Sequence, residues 1–319
     1  MLTFHPGHVT GETAPPAGTV WVDLVSPSES EIALIEGHTG FRVPTLADLA
    51  EIERSSRMQV DGEVLRLSLP IVAGGDTDHP ALTFVGLTVT PNLLMTVRYA
   101  ELTVFGMVAD RACPEGGETS SAAVFTVLVE ALVDRQADLL EQARAHLDEI
   151  SRTVFRPPAS KGESDTVRSN AAMRRLLRRL GRIGERVSLI RESMLATGRA
   201  APFAVETCRE WIDAPHLTRL EAAAQDVESL NTFEEHLSGK VQFLLDAVLG
   251  LISIEQNDTF KVLTIASIVG IPPTLVAGWY GMNFKIPEYA WHYGYAFGAG
   301  VIVLSTILPL VWFRWRGWL

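Results

Sequence analysis

Hydrophobic and polar positions follow three different patterns along the chain, and each pattern predicts a different kind of element. Before residue 100, short β-branched runs alternate with polar stretches, and this predicts strands over 19–25, 62–72, 82–91 and 93–99. Segments with Ser or Thr at the cap position predict helices over 26–40 and 45–56. Residues 1–115 are therefore expected to form an α/β domain.

Long helices are predicted after Pro114. Residues 119–155 form an amphipathic, mainly acidic pattern, and residues 165–197 form a helical pattern rich in arginine. We expect an antiparallel helical hairpin over 116–200 with charges paired along its seam, although an arginine-rich helix also fits nucleic acid or anionic lipid. A third helix begins near His216, and it has no strong stop before the apolar C-terminal region.

This third helix is expected to form a stalk over 206–258 that continues into the membrane. If it is unbroken over 219–280, it is a rod of about 90 Å at ~1.5 Å per residue. No single domain can bury such a rod, so the helix indicates association with further copies of the chain.

Two uncharged segments near the C-terminus predict a transmembrane hairpin. Residues 262–280 and 293–313 contain no charged side chain, and each has about the ~20 residues that cross a ~30 Å hydrocarbon core. Two buried core helices are the alternative. We expect spans over 259–281 and 293–313, an external loop over 282–292 and a tail over 314–319.

Basic residues at the outer ends of these segments predict their orientation. Lys261 precedes the first segment, and Arg314 and Arg316 follow the second. The positive-inside rule then places both termini in the cytoplasm. The sequence therefore predicts a two-pass protein of the cell (inner) membrane, with the lipid bilayer and its own copies as partners.

Composition and charge narrow the function. The 319 residues suggest about two modules, and a net charge of −11 argues against nucleic acid as a partner. The mean hydropathy of +0.17 indicates that apolar and charged residues are segregated. We find no HExxH, GxxxxGK[ST] or nucleophile–base constellation, so we expect neither an enzyme nor a bound cofactor.

The cysteine and histidine residues offer little soft-metal chemistry. Cys113 and Cys208 lie outside any CxxC motif, which argues against a zinc ribbon or a disulfide scaffold. The first 18 residues lack the pattern of a signal peptide. His5 and His8 are interpreted as part of a mobile leader, with a weak metal pair as the alternative.

A stripe of small and polar side chains runs along one face of the first span. Its spacing of three and four residues predicts a pore lining. Lipid chains cannot form hydrogen bonds with hydroxyl and amide groups, whereas the water in a channel can. Close packing between helices is the alternative. The oxygen-bearing groups suit hard cations, Mg²⁺ above all. The members of the stripe are Asp246, Asn257, Phe260, Thr264, Ser267, Ile271, Thr274 and Gly278.

The C-terminal motifs resemble those of the CorA family of magnesium transporters. The resemblance lies in YGMNF at 280–284, IPE at 286–288 and HYGY at 292–295. Segments similar to the family's sequence also occur upstream, at 21–27, 45–57, 128–150 and 243–249. A match of three residues alone would be weak evidence for a family. The GMN tripeptide at the end of the penultimate helix is nevertheless specific for this one.

The resemblance implies a homopentameric funnel with a cytoplasmic α/β/α domain, a stalk helix and five first spans around a pore. It implies that Asn283, in the selectivity motif Gly281-Met282-Asn283, binds hydrated Mg²⁺. Thr274 and Ile271 would then line the middle of the pore. Phe260 and Leu263 would form a hydrophobic gate, and Asn257 and Asp246 the inner polar rings.

The chain departs from the family pattern at three places. Lys285 stands where an acidic residue is expected in the external loop, and only Glu288 remains there. The C-terminal basic cluster is reduced to Arg314 and Arg316. Ala222 occupies the stalk position of an inhibitory Mg²⁺ site, whose candidate substitutes are Asp76, Asp78, Glu221 and Asp226.

Three functions remain open from the sequence. The first is passive Mg²⁺ uptake, with Co²⁺ and Ni²⁺ as further candidate ions. The second is zinc or nickel transport, with or without proton coupling, as in the ZntB branch of the superfamily. The third is a membrane-anchored sensor or scaffold that does not conduct, against which the oxygen-lined stripe argues.

Overall fold

A computed structural model describes residues 1–6, 9–10, 14–51, 53, 57–75, 77, 79–113, 119–155, 170–283 and 287–318. The chain divides into two compact units. The first combines Met1–Arg156 with Leu176–Leu245, and the second combines Pro157–Arg175 with Asp246–Leu319.

The first unit contains a mixed sheet of seven strands within the described residues, in the order β2-β1-β3-β7-β6-β5-β4. Neighbouring strands are antiparallel except β3 and β7, which are parallel. The strands are β1 Leu2–His5, β2 Val9–Thr10, β3 Trp21–Val25, β4 Met58–Asp61, β5 Val64–Ala73, β6 Ala81–Val89 and β7 Leu94–Arg98.

Both faces of the sheet are buried, which explains why its central strands are apolar at nearly every position. Trp21 and Leu65 belong to a core cluster on one face, together with residues of α3, Thr103–Ala112, and α4, Ser121–Phe155. Val22 and Met95 belong to a second cluster that includes Ile35 of α1, Glu29–Thr39. The predicted combination of a sheet with helices is confirmed.

A buried polar network joins β3 to β7 across the parallel pairing. Arg98 donates from Nη2 to Asp23 at 2.8 Å, and both side chains are more than nine-tenths buried. Thr96 donates to the same carboxylate at 2.6 Å, and the Trp21 indole donates to the Thr96 hydroxyl at 3.0 Å. Each buried polar group therefore has partners, which offsets its loss of hydration.

The interpretation of the N-terminus as a mobile leader is wrong for its first residues. Leu2–His5 forms a strand that pairs with β3, and His5 is 4% exposed and stacks on Trp21. The stretch is too short and too polar to be distinguished as a strand from the sequence. His8 lies outside the described residues.

The predicted helix over 45–56 is not continuous in the structure, and its residues 52 and 54–56 lie outside the described residues. The helix α2 covers only Leu46–Leu49 and carries a capping box in which Thr45 and Asp48 exchange hydrogen bonds. Its last residue is followed by Ala50, which caps the turn. The elements β1, β2, β4 and α3 were not predicted from the sequence.

Three long helices complete the description of the chain before its C-terminal hairpin: α4, α5 over Asn170–Cys208, and α6 over Ala214–Tyr280. In the first unit, the buried positions of α6 recur at steps of three, four or seven residues. Such a repeat packs one helix face continuously against its neighbours. These buried positions are Leu220, Ala223, Val227, Glu234, Leu237, Val241 and Leu244.

Charge pairs connect these helices. Glu149 of α4 accepts two hydrogen bonds from Arg179 of α5, the shorter at 2.8 Å, as the predicted hairpin seam requires. Glu130 of α4 pairs instead with Arg219 of α6 at 2.6 Å. The Arg179 guanidinium lowers the pKa of Glu149, and the Glu130 carboxylate raises the pKa of Arg219.

The second unit contains the end of α6, a 3₁₀ turn over Pro287–Ala290 and α7 over Gly294–Trp315. Both α6 and α7 are long and apolar enough to cross a membrane. The prediction of two candidate spans at the C-terminus is therefore confirmed. The prediction that the stalk continues without a break into the first span is confirmed as well, because α6 is one helix of 67 residues.

Candidate ion pathway

The predicted stripe occupies one side of the last part of α6. At 3.6 residues per turn, the positions from Asn257 to Gly278 fall within an arc of about 100°. Phe260 and Ile271 on this arc are 65% and 62% exposed. Exposure does not separate this face from the others, because Val262 and Leu275 are exposed to a similar degree. What distinguishes the stripe is its hydroxyl, amide and glycine content.

The hydroxyl groups of the stripe are oriented by the helix itself. Thr264, Ser267 and Thr274 each donate a hydrogen bond of 2.8 Å to the carbonyl oxygen four residues earlier. Each hydroxyl proton is therefore already used, and the oxygen lone pairs remain as acceptors. Acceptors suit the water molecules around a hydrated cation, because those molecules donate their protons outwards.

Two consecutive prolines add further acceptors that the sequence analysis missed. Pro272 and Pro273 lie inside α6 and have no N–H to donate. The carbonyl groups of Ile268 and Val269, four residues earlier, therefore lose their helical donors. Ile268 lies about 20° outside the arc at 100° per residue. The Pro-Pro dipeptide within an uncharged span is the sequence signal that identifies these free carbonyls.

The N-terminal end of the stripe combines apolar and polar positions. Phe260 and Leu263, the predicted gate, are 65% and 62% exposed on the single chain. Asn257 lies one turn before Phe260 and is exposed. Asp246 is also an exposed position of α6. Along the helix, a carboxylate and an amide thus precede two bulky apolar side chains.

The predicted selectivity motif lies at the C-terminal end of α6. The amide of Gly281 donates to the Ala277 carbonyl at 2.9 Å, and that of Met282 donates to Trp279 at 3.3 Å. A Cβ added at Gly281 would lie 3.2 Å from the Ala277 oxygen, so a larger residue would crowd the helix end. Asn283 follows in an exposed bend.

The loop that is predicted to be external is described only in part. Lys285 lies outside the described residues. Glu288 is half-buried in the 3₁₀ turn, and its Oε2 atom has no hydrogen-bond partner among the residues that the structure describes. A Cβ added at Gly294 would lie 2.0 Å from the Glu288 carbonyl oxygen. The start of α7 therefore packs directly against the backbone of this turn.

The candidate residues of the inhibitory metal site are not brought together in what is described. Asp76 and Asp78 lie outside the described residues. Glu221 pairs with Arg209 at 3.4 Å. Desolvation by burial is the main cause that raises the pKa of Asp134, and the nearby Asp226 carboxylate raises it further. Within the described residues, no group of three or more His, Cys, Asp or Glu side chains is arranged to hold a metal ion.

The two cysteines do not offer thiolate ligands. Both thiols are buried, and burial raises the pKa of Cys113 to about 11 and that of Cys208 to about 12. A thiol must lose its proton to bind a metal strongly. Between Asn257 and Gly278, where α6 contains no Cys or His, oxygen atoms are therefore the metal-binding groups.

Comparison with known proteins relates this arrangement to one family. Residues 16–315 match the family model of the CorA-like Mg²⁺ transporter protein. The magnesium transport protein CorA of Pasteurella multocida is 32% identical over 302 residues, covering 94% of this chain and 92% of the relative. The protein of the same name from Escherichia coli K12 is 31% identical over 310 residues, covering 97% and 94%.

Solved structures show the same fold at lower sequence identity. The complete CorA magnesium transporter from Methanocaldococcus jannaschii matches with a TM-score of 0.71 and 16% identity, over 94% of this chain and 91% of that one. The full-length CmaX protein matches with a TM-score of 0.67 and 16% identity, over 95% and 89%. These matches cover both the sheet-containing unit and the C-terminal hairpin.

Proposed function

The chain belongs to the CorA-like Mg²⁺ transporter family, and from this premise we propose that it is a membrane channel that carries Mg²⁺ into the cell. The observation that carries the proposal is the row of oxygen acceptors along the uncharged part of α6. This row ends at Asn283, in the tripeptide that the family resemblance identifies as the selectivity motif.

A pore requires several copies of the chain, because one α6 helix supplies only one wall. We propose a homopentamer in which five copies of α6 surround the pathway. Both termini are cytoplasmic in this proposal, and the loop between α6 and α7 faces outwards, as the basic residues flanking the spans indicate. The partners are then the lipid bilayer and the other four subunits.

The ion is selected as a hydrated complex. Mg²⁺ loses its water reluctantly and prefers oxygen ligands. A ring of Asn283 amide oxygens accepts hydrogen bonds from the hydration shell, and the Thr274 and Thr264 hydroxyl oxygens continue this contact below it. The carbonyl of Ile268, which lacks its helical donor because of Pro272, adds an acceptor close to this face in the middle of the span.

The membrane potential drives uptake without a nucleotide. Moving one elementary charge through 100 mV is worth roughly 2.3 kcal/mol, so a divalent ion gains roughly 4.6 kcal/mol. Phe260 and Leu263 close the pathway by excluding water when their side chains converge, and Asn257 and Asp246 receive the ion on the cytoplasmic side.

The alternative cargo is Zn²⁺ or Ni²⁺, moved with or without a proton as in the ZntB branch. Lys285 replaces the acidic residue of the family's loop, which weakens the attraction of cations at the mouth and keeps this second candidate open, whereas GMN followed by IPE favours Mg²⁺. Co²⁺ and Ni²⁺ are further candidates for the Mg²⁺ route. An inhibitory Mg²⁺ site on Asp76 or Asp78 with Glu221 or Asp226 remains part of the proposal.

Flux into proteoliposomes tests the pathway. We expect Asn283→Ala to slow Mg²⁺ uptake by about tenfold or more, and Thr274→Val by about two- to tenfold, which corresponds to one hydrogen bond. Thr306→Val is the matched control, because Thr306 makes the same hydroxyl bond in α7 at 3.0 Å. Equal uptake by Asn283→Ala and the unchanged protein would contradict the selectivity ring.

Two further measurements separate the alternatives. Zn²⁺ flux that rises with an imposed proton gradient, with little Mg²⁺ flux, would establish the second cargo instead. A native mass that corresponds to a number of subunits other than five would exclude the pentamer.

A further inference from the structure

A polar cavity of about 360 Å³ lies on one face of the sheet in the first unit, beside α2. Its volume is within the range of small-molecule sites in proteins, which is about 300–1,000 Å³. It is formed entirely by residues of the first unit, and no step of the proposed ion pathway involves it. The residues that form its floor and walls define the ligand that it can accept.

The floor of the cavity is a row of hydrogen-bond donors on three neighbouring strands. Arg66 of β5 lies directly opposite Gln59 of β4 and directly opposite Thr88 of β6. Residues paired in this way have Cβ atoms about 4.5–5.5 Å apart on the same face of the sheet. A guanidinium, an amide and a hydroxyl group therefore lie side by side.

Two members of this row have unused hydrogen-bonding capacity. Among the residues that the structure describes, Arg66 forms no ion pair and the Thr88 hydroxyl has no hydrogen-bond partner. Thr88 is only 4% exposed and is one of the residues that line the cavity. A half-buried guanidinium beside a hydroxyl group without a protein partner offers hydrogen-bond donors to an anion or to water in the cavity.

The wall beside this row is held firmly. A Cβ added at Gly86 would lie 2.8 Å from Leu49, so α2 packs closely against β6 at this point. The Ser68 hydroxyl donates to the Leu49 carbonyl at 2.7 Å, and the Tyr99 hydroxyl donates to the Pro44 carbonyl at 3.0 Å. The cavity is therefore built by contacts that exist without a ligand.

The rim carries acidic groups of two kinds. Asp48 caps α2 through Thr45 and pairs with Arg42 at 3.2 Å, so its charge is already compensated. The N–H of Thr45 is the main cause that lowers the pKa of Asp48. Glu51 lines the cavity and is exposed. Its carboxylate is an acceptor for hydroxyl groups on a ligand that is anchored at Arg66.

We propose that this cavity binds a small phosphate monoester that also carries hydroxyl groups. The phosphate accepts hydrogen bonds from Arg66, Gln59 and Thr88, and the hydroxyl groups donate to Glu51. A phosphate offers three terminal oxygens to these three donors, whereas a carboxylate offers two. Arginine matches such oxyanions with paired N–H groups.

The test uses the full-length protein in detergent and ribose 5-phosphate as the probe, with binding followed by calorimetry. Ribose, inorganic phosphate and citrate are the comparison ligands. We expect saturable binding of ribose 5-phosphate, weaker binding of inorganic phosphate and citrate, and none of ribose. Arg66→Gln should weaken binding by about tenfold or more, and Thr88→Val by about two- to tenfold.

Arg152→Gln is the control variant, because Arg152 is an exposed residue at the end of α4 and lies outside the cavity. It should bind ribose 5-phosphate as the unchanged protein does. The absence of saturable binding to the unchanged protein, or equal binding by Arg66→Gln, would overturn the proposal. Tighter binding of citrate than of ribose 5-phosphate would overturn the assignment of the ligand as a phosphate ester.

Discussion

The contact between α7 and the preceding turn gives the sharpest prediction. Gly294 is the first residue of α7, and a Cβ at this position would lie 2.0 Å from the Glu288 carbonyl oxygen. Real Cβ atoms essentially never approach another atom within 3.0 Å. In Gly294→Ala, the Glu288 carbonyl must therefore move by about 1 Å or more, because backbone cannot rotate away as a side chain can.

The expected cost follows from this displacement. Overpacking a close contact typically costs about 1–3 kcal/mol. The gain in helix propensity from Gly to Ala, up to about 1 kcal/mol, acts in the opposite direction and is smallest at a helix end. The turn is held by the amide of Trp291, which donates to Glu288 at 3.2 Å, and that of Gly294, which donates to Trp291 at 2.9 Å. We expect these two hydrogen bonds to open more readily in Gly294→Ala than in the unchanged protein.

Amide hydrogen exchange of peptides covering residues 287–295 measures this opening. A loss of about 1–3 kcal/mol corresponds to roughly 5- to 140-fold faster exchange, because 1.4 kcal/mol is a factor of ten. Gly300→Ala is the matched control. It places the same substitution in the same helix, and a Cβ at Gly300 meets nothing within 4 Å.

The two variants must therefore differ in this loop. Gly300→Ala should leave exchange of residues 287–295 unchanged. If Gly294→Ala exchanged at the same rate as Gly300→Ala, the packing of α7 against the 3₁₀ turn would not hold the loop, and the reasoning would be refuted.

Three further predictions concern the first unit. Arg98→Met should lower the thermal midpoint of the full-length protein, because it leaves the Asp23 carboxylate buried without its cation at a cost of about 3–5 kcal/mol; adding Asp23→Leu should restore part of the loss. Iodoacetamide at pH 8 should label Cys113 and Cys208 slowly in the folded protein and rapidly in urea, because burial raises both thiol pKa values. The pKa of Asp48 is lowered on folding, so its stabilisation is present at neutral pH and is lost as the pH falls below about 4. The midpoint difference between Asp48→Asn and the unchanged protein should thus narrow between pH 7 and pH 3, and an equal difference at both values would contradict this reasoning.

Strong local patterns allowed much of the fold to be predicted. The strands containing Trp21, Leu65, Val85 and Val97 are rich in β-branched and apolar residues because both sheet faces are covered, and all four were predicted. The absence of charge over 262–280 and 293–313 is equally distinctive, since only a membrane or a deep core tolerates it.

Elements that depend on tertiary contacts could not be predicted. The short strand containing Phe4 is formed because it pairs with β3 and packs into a core cluster. The helix beginning at Leu46 ends after one turn, where Ser68 binds the carbonyl of Leu49. In both cases a distant part of the chain decides the local structure, and no periodicity within the segment reveals it.

The candidate site could be predicted only as far as one helix carries it. The spacing of Asn257, Thr264 and Thr274 is by itself enough to define a face of α6, and the hydroxyl bonds within the helix give that face its acceptors. The pore itself remains a proposal, because its wall requires several copies. The free carbonyl of Ile268 was missed because the pattern of side chains says nothing about backbone acceptors.

The parallel pairing of β3 with β7 has a consequence for biosynthesis. Trp21 of β3 lies opposite Leu94 of β7, so the pairing of these two strands cannot begin until 73 further residues have been synthesised. At about 5–20 residues per second, translation of this interval takes roughly 4–15 s. During this time β3, with all five of its residues destined for the core, has one unpaired edge. The nascent chain therefore presents an aggregation-prone segment early, and β3 is where we expect a ribosome-bound chaperone to act.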